Sequence, residues 1–132
     1  MPFISPGTFN PLRNELCTFD EAREKLIINS RKLNSLAKKA MYETHRGNLD
    51  EATRFFEEAT PLADELKASY ADDYRYKFGA VTAALQEWGE CLAYYVYVKE
   101  GRLISKEELG LETEDYLLSL ADLTGEMTRR AV

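Results

Sequence analysis

The sequence has 132 residues, which is enough for one domain with a single modest core. Its 45% hydrophobic and 30% charged residues exclude an intrinsically disordered chain. The net charge of −6, taken alone, argues against a nucleic-acid partner. Neither a run of 18 apolar residues nor a secretory signal pattern is present, so we expect a cytoplasmic protein whose two cysteines, Cys17 and Cys91, stay reduced.

Helical periodicity runs through nearly the whole chain after Thr18, and no credible strand is found. Residues 1–17 contain three prolines and are predicted to form an irregular arm. Helices are predicted at about 18–46, 49–71, 72–99 and 113–131. Long helices with short connections indicate an all-α, antiparallel bundle in a single domain, residues 1–132. The alternative of a tetratricopeptide solenoid is suggested by RGNLDEATRFFEEA, but its period does not recur.

Helix ends are predicted from capping residues and breakers. Thr18 and Asn48 each precede an acidic residue by three positions, which is typical of a helix start. Pro61 is expected to kink or restart the second helix, and Gly101 to end the third. Ser105 should cap a single helical turn before the last helix begins.

The stretch LQEWGECLAYY places Glu87 and Glu90 one helical turn apart, with Gly89 between them, inside an otherwise apolar helix. Glycine costs a helix interior about 1 kcal/mol relative to alanine. The two acids emerge among small residues, unlike a solvated face, which carries Lys, Gln and Arg. This pattern predicts that another helix approaches closely at this point.

The last helix carries a matching pattern in DYLLSLADLTGEMTRR. Asp122 and Glu126 are i, i+4 neighbours on a polar stripe with Asp115 and Ser119, and Gly125 precedes Glu126. If the two helices meet, four carboxylates converge, and such a cluster needs protons or a metal ion. Gly89 and Gly125 are both interpreted as allowing this approach, so Gly125→Leu is expected to impair activity nearly as much as loss of Glu126.

All-oxygen ligands suit Mg²⁺, with Mn²⁺ as a possibility, and the only histidine, His45, lies on another helix. Mg²⁺ held by carboxylates can polarise a phosphoryl oxygen and activate a bound water. The competing interpretation is that these acids form an ordinary solvated face, and that Asp115 is a first-turn acid favoured by the helix dipole.

Basic residues are concentrated in the first predicted helix, where seven basic and two acidic residues lie between Ala22 and Arg46. Lys25 and Lys32 begin a series with a seven-residue period, which predicts a cationic ridge able to bind a phosphate backbone. The candidate nucleic-acid-binding residues are Arg31, Lys32, Lys38, Lys39, His45 and Arg46. The alternatives are a solvating face or ion pairs with the acidic second helix. Tyr94, Tyr95 and Tyr97 are able to stack on bases, although helical tyrosines often belong to a core.

The blocks LQEWGECLAYYVYVKEGRLIS and EDYLLSLADLTGEMTRRAV resemble the translin family, and in particular its translin-associated factor X branch, which has LQE-x-x-E and DYLL-x-x-ADLTGE at these places. The resemblance is specific over residues 80–132, looser over the first helix, and vague over residues 49–75. It implies an all-helical subunit that assembles into hollow oligomers enclosing RNA or single-stranded DNA.

The resemblance further implies an Mg²⁺-dependent endoribonuclease whose catalytic and metal-binding acids are Glu87, Glu90, Asp122 and Glu126. It implies a homo-oligomer, or a hetero-oligomer with a translin-like chain. Family members continue past ADLTGE with further helices, so we expect either a fragment or a reduced, compact prokaryotic or archaeal member. The principal alternative is a translin-like protein that binds RNA or single-stranded DNA without cleaving it; a helical scaffold with no nucleic-acid role is a third.

Overall fold

A computed structural model describes residues 5–131, and these residues form five α-helices with short connections. The helices are α1 (Pro6–His45), α2 (Leu49–Asp72), α3 (Gly79–Glu100), α4 (Lys106–Leu109) and α5 (Thr113–Ala131). A 3-10 turn at Tyr74–Tyr76 connects α2 to α3. Residues 5–131 contain no β-strand, which confirms the all-α prediction.

The helix α3 lies at the centre of the bundle and packs against α1, α2 and α5. Its buried side chains surround most of its circumference, and they include Leu85, Trp88, Cys91 and Tyr94. A helix that is apolar on most sides is a core helix rather than a surface helix. This position explains why the sequence around Glu87 is so apolar.

Contacts along α3 give the directions of its neighbours. The ring of Phe56 packs on Tyr95, and Lys67 lies over Trp88, so α2 runs antiparallel to α3. Lys38 approaches Glu87 and His45 contacts Tyr94, so α1 runs in the same direction as α3, with a constant offset of 49 positions. Such a constant offset means that one side of α1 follows one side of α3 over this heptad.

The first helix begins earlier than predicted. α1 starts at Pro6, so the predicted irregular arm is wrong for residues 6–17, while residues 1–4 lie outside the described part of the chain. Pro6 occupies the first helical turn, where a missing N–H has no cost, and Pro11 removes only one backbone hydrogen bond. With 40 residues, α1 is about 60 Å long, and its first turns are exposed.

Two predicted caps and one predicted helix start are also wrong. The Thr18 hydroxyl donates to the Asn14 carbonyl within α1, 2.9 Å away, instead of capping a helix. Asn48 precedes α2, but its side chain accepts no hydrogen bond from a helix N–H, and its amide instead donates to Glu43 Oε2. The third helix begins at Gly79, not at residue 72, because Asp73 caps the 3-10 turn by accepting from the Arg75 N–H. The helix α2 continues through Pro61 without a restart.

The connection between α3 and α5 follows the prediction. Gly101 and Gly110 have positive φ angles of 69° and 66° and end α3 and α4. Ser105 Oγ accepts from the Glu108 N–H at 3.1 Å, and the Tyr116 hydroxyl donates to the Ile104 carbonyl at 2.8 Å. The connection leads the chain back along the bundle, so α5 starts beside the first half of α3.

Candidate active site between α3 and α5

The closest approach of α3 and α5 is at Gly89. A Cβ atom at this position would lie 2.7 Å from Ser119 Oγ and 2.9 Å from Leu111 Cδ1. The Ser119 hydroxyl donates to the Gln86 carbonyl at 2.9 Å. Gly89 therefore allows the helices to pack closely, as predicted.

The sequence allowed two interpretations of Asp115, as a member of the polar stripe or as a first-turn acid favoured by the helix dipole. In the structure, Asp115 is fully buried at the start of the α3–α5 interface. Its Oδ2 lies 3.1 Å from Lys77 Nζ, and its Oδ1 accepts from Gln86 Nε2 at 2.9 Å. A buried carboxylate that is both paired and hydrogen-bonded serves to fix the helices. Asp115 therefore stabilises the contact between α3 and α5.

Glu87, Glu90, Asp122 and Glu126 are brought to the same region, one turn further along both helices. Burial and, after it, the negative charges of Asp122, Glu126 and Glu87 in that order together raise the pKa of Glu90 to about 7. Three carboxylates acting on one carboxyl show that the two acidic pairs face each other. Asp122 is exposed, while the other three are partly buried.

The side chain of Glu126 is held by other residues. Its Oε2 lies 2.8 Å from His45 Nε2, and its two oxygens accept from Arg129 Nη1 at 3.0 and 3.1 Å. On the other side of the imidazole, His45 Nδ1 lies 3.3 Å from the hydroxyl of the buried Tyr94. Arg130 Nη1 donates to this hydroxyl at 3.4 Å. A network from α1, α3 and α5 therefore borders the acids.

Whether a metal ion fits these acids depends on the type of their ligand atoms and on how closely the side chains are arranged. All four are carboxylates, the ligand type that Mg²⁺ and Mn²⁺ prefer. Nevertheless, within residues 5–131 no three His, Cys, Asp or Glu side chains are arranged closely enough to hold a metal ion. The donors fit Mg²⁺ in kind, and the carboxylate of Glu126 is engaged by His45 and Arg129.

Gly125 does not have the role that the sequence suggested. A Cβ atom there would meet no atom within 4 Å among residues 5–131. The α3–α5 contact therefore does not depend on this glycine, and the expectation that Gly125→Leu blocks helix approach within the chain is wrong. The symmetry of the two glycines was misleading because periodicity does not reveal which side of α5 faces α3.

The cationic ridge is exposed along α1 in five of its six predicted members: Arg31, Lys32, Lys38, Lys39 and Arg46. Lys38 Nζ lies 4.0 Å from Glu87 Oε1, so the ridge reaches the acids. Arg46 lies 3.7 Å from Glu43. The sixth, His45, is half-buried against Glu126 and does not stand on the open ridge. Among the tyrosines, Tyr94 and Tyr95 are buried in the core, while Tyr97 is exposed.

Sequence reasoning missed Arg129, Arg130 and the Tyr94 hydroxyl as neighbours of the acids. The i, i+3 spacing of Glu126 and Arg129 is a signal for a helical ion pair and was available in the sequence. The contact of Arg130 with Tyr94 joins residues 36 positions apart and has no local signal.

Cys17 is exposed and Cys91 is buried, and both are free thiols. Burial raises the pKa of the Cys91 thiol, and the neighbouring Glu90 raises it further. In residues 5–131, none of the helices is both long enough and apolar enough to cross a membrane.

Two curated proteins are similar to this chain in sequence. The chain is 26% identical over 131 residues to an uncharacterised protein of Methanocaldococcus jannaschii, covering 98% of this chain and 58% of that protein. It is 27% identical over 139 residues to the translin-associated protein X homolog of Schizosaccharomyces pombe, covering 92% of this chain and 59% of that protein. The chain thus spans less than three fifths of the length of these relatives.

Solved structures share the fold. Apo-NeC3PO superimposes with a TM-score of 0.89 and 30% identity, covering 98% of this chain and 69% of that chain. AfC3PO superimposes with a TM-score of 0.80 and 26% identity, covering 93% and 64%, and a structure of AfC3PO with duplex RNA matches with the same score. The sequence pattern of the translin family matches residues 21–132, most of the chain, and includes all four acids. The chain belongs to the translin family.

Proposed function

We propose that the protein is an Mg²⁺-dependent endoribonuclease, with Mn²⁺ as a possible substitute, and that Glu87, Glu90, Asp122 and Glu126 hold the ion. The observation that carries this proposal is the placement of Glu90 beside Glu87 of its own helix and opposite Asp122 and Glu126 of α5, where burial and these three carboxylates raise its pKa to about 7. A carboxyl group with such a pKa beside other acids is characteristic of functional sites.

The ion, when bound, supplies a Lewis acid for the phosphoryl oxygen and a bound water with a lowered pKa. The chain's own residues have separate tasks. Glu90 carries a proton near neutral pH and gives it up when positive charge arrives. His45 and Arg129 fix the carboxylate of Glu126, and Lys38 beside Glu87 offers a positive charge to a phosphate entering from the ridge.

The cationic ridge is proposed to guide the RNA strand to the acids. Its members Arg31, Lys32, Lys38 and Lys39 are exposed on α1, and Lys38 is the point at which the ridge meets Glu87. Because charge contacts to phosphates carry no sequence information, we expect weak base preference and a steep dependence of binding on salt. Similarity to AfC3PO, solved with duplex RNA, supports an RNA partner; single-stranded RNA is proposed as the substrate.

Cleavage of labelled RNA tests the proposal. Single-stranded and duplex RNA are incubated with wild type in Mg²⁺, Mn²⁺ or EDTA, and with Asp122→Asn. Asp122 is exposed, so the variant should fold, and we expect a loss of rate of about 100-fold or more, typical of removing a group that stabilises charge in the transition state.

Glu114→Gln is the matched control, since Glu114 is an exposed acid on the same helix, outside the four. It should cleave like wild type. Cleavage that persists in EDTA or in Asp122→Asn would refute the site.

A second candidate function is binding of RNA or single-stranded DNA without cleavage. The observation in its favour is that Glu126 is already engaged by His45 and Arg129, and that no three ligating side chains in residues 5–131 are arranged for a metal ion. Salt-sensitive RNA binding without cleavage in any metal would support this function over the nuclease.

We also propose that the protein acts as an oligomer, with copies of itself or with a translin-like chain. Phe9, Leu12 and Leu16 form an apolar stripe at i, i+3 and i+7 on the first turns of α1, each about half exposed or more. Substituting Leu12 and Leu16 together by Glu should lower the mass measured by sedimentation. Asn10→Glu, which lies off the stripe, should not change it; an unchanged mass in the double variant would contradict this use of the stripe.

A further inference from the structure

A groove between α1 and the start of α3 brings together Arg31 of the cationic ridge and Arg23, which is not one of the six predicted ridge residues. Its volume is about 430 Å³, and it is lined by Arg23, Ser30, Arg31 and Asn34 on one side. Phe78, Gly79, Ala80 and Ala83 line the opposite side. No carboxylate lines this groove in the described part of the chain, although the sequence has 23 acidic and 17 basic residues.

The start of α3 leaves its backbone donors free. The residue before the helix is Phe78, whose side chain makes no capping hydrogen bond. The first backbone bond of the helix runs from the Thr82 N–H to the Phe78 carbonyl at 2.9 Å. Among residues 5–131, the N–H groups of Gly79, Ala80 and Val81 have no acceptor. Uncapped N–H groups at a helix start attract anions.

Buried polar atoms on the α1 side of the groove also lack partners. Ser30 is 2% exposed, and its Oγ makes no hydrogen bond within the described residues. The side-chain oxygen assigned to Asn34 is buried without a partner as well, and a turn of the amide would present its NH₂ group there. A buried hydroxyl without a partner costs free energy unless a ligand or water supplies one. Both side chains are able to donate to an anion.

The two arginines of the groove are free of carboxylates. Arg23 stacks over the ring of Phe78, 4.7 Å from its centroid, which holds the guanidinium beside the start of α3. Arg31 is exposed, and neither arginine forms a salt bridge within residues 5–131. Guanidinium groups bind phosphate oxygens with paired, charge-assisted hydrogen bonds.

We propose that this groove binds a phosphate group of the RNA strand, with the N–H groups of Gly79 and Ala80, the Ser30 hydroxyl and Arg31 as donors. This inference rests on the proposed function, since it takes the strand to be RNA. Gly79 precedes Glu87 by eight residues, which is about 12 Å along α3. The groove would anchor the strand at one end of the α1–α3 face, while Lys38 and Glu87 lie further along the same face.

Gly79→Asp is the most informative variant. A Cβ at Gly79 meets no atom within 4 Å and the residue does not have a positive φ, so a side chain is accommodated. The new carboxylate would occupy the anion site, and it should raise the melting temperature because a negative charge is favourable at a helix start. RNA binding should weaken about tenfold, and the slope of log affinity against log salt should become shallower by about 0.7, the value for one phosphate on a single strand.

Gly7→Asp is the control, because it adds the same carboxylate at the exposed start of α1, outside the groove; it should bind RNA within about twofold of wild type. Inorganic phosphate, compared with chloride at equal ionic strength, should raise the melting temperature of wild type and not that of Gly79→Asp. The proposal of a phosphate site in the groove would be overturned if wild type and Gly79→Asp had the same RNA affinity, the same salt slope and the same response to phosphate. If wild type binds no RNA, the proposed function fails, and the phosphate response alone decides whether the groove binds an anion.

Discussion

At the scale of single residues, Glu90 has an unusual environment for a carboxyl group. It lies on the central helix, partly buried, with Glu87 on the same helix and Asp122 and Glu126 opposite. Its pKa of about 7 means that the protein tolerates the four acids near neutral pH by keeping a proton on one of them. A bound cation is the alternative way to reduce the repulsion.

The titration of Glu90 predicts a pH dependence of stability. Its ordinary pKa is 4.5, and in the folded chain it is about 7, so between these values the folded chain binds more protons than the unfolded chain. The free energy of unfolding in EDTA should therefore fall as pH rises from about 4.5 to 7. Glu90→Gln removes this loss, and at pH 8 it should be more stable than wild type by on the order of 1 kcal/mol, allowing for partial exposure to solvent.

Chemical denaturation of both proteins at pH 4.5 and pH 8, in EDTA, measures this difference. Glu114→Gln, at an exposed site, should follow wild type at both pH values. A Glu90→Gln variant that is less stable than wild type at pH 8 would show that the carboxylate is stabilised by its surroundings, contrary to the raised pKa.

The four acids were proposed from sequence on their spacing and on the small residues around them, which are local features of two helices. The role of His45 was not predictable. Arg31, Lys38 and His45 form a second series with a seven-residue period, and this spacing grouped His45 with the exposed cations. This series runs beside α3, and its last member, His45, points inward and contacts Tyr94 and Glu126. A helical period gives a line of residues and does not show where a partner helix covers that line.

At the scale of helices, the contact between α3 and α5 depends on Gly89 and not on Gly125. Ala at 89 gains helix propensity of about 1 kcal/mol but meets Ser119 and Leu111 at less than 3 Å, and overpacking of this kind costs about 1–3 kcal/mol. We expect Gly89→Ala to lower the free energy of unfolding by up to about 2 kcal/mol, the difference between these two terms. Gly125→Ala, its matched control in open space, should raise it by up to about 1 kcal/mol.

Urea denaturation of the two variants separates these effects, and Gly89→Ala combined with Ser119→Gly should recover part of the loss. If Gly89→Ala proves as stabilising as Gly125→Ala, the close approach of the two helices at Gly89 would be excluded.

Helix boundaries show which local signals were sufficient. The glycines and the serine between α3 and α5 were interpreted correctly because positive φ and a serine cap are local requirements. The start of α1 was missed because prolines were taken as breakers, whereas Pro6 lies in the first helical turn, where proline is compatible with the helix. The start of α3 was missed because Asp73 caps a short 3-10 turn rather than a long helix.

At the scale of the whole molecule, the direction of the helices decides where the chemistry lies. α1, α3 and α5 run side by side in one direction, so the ridge of α1 meets α3 at Lys38 and Glu87, and the acids of α5 meet those of α3. The sequence predicted the helices and the bundle, but the offsets between helices come from packing of distant residues such as Ser119 against Gly89. The groove at Gly79 was likewise invisible, since it joins residues about fifty positions apart.

Mn²⁺ titration followed by electron paramagnetic resonance measures directly whether the carboxylates around Glu90 bind a divalent cation, and it requires neither RNA nor turnover. We predict a saturable Mn²⁺ site in wild type, with protons released on binding near pH 6.5 because Glu90 is then largely protonated. This site should be lost in Asp122→Asn and kept in Glu114→Gln. The proposed cation site would be contradicted if wild type and Asp122→Asn bound Mn²⁺ with the same affinity, or if wild type showed no saturable binding.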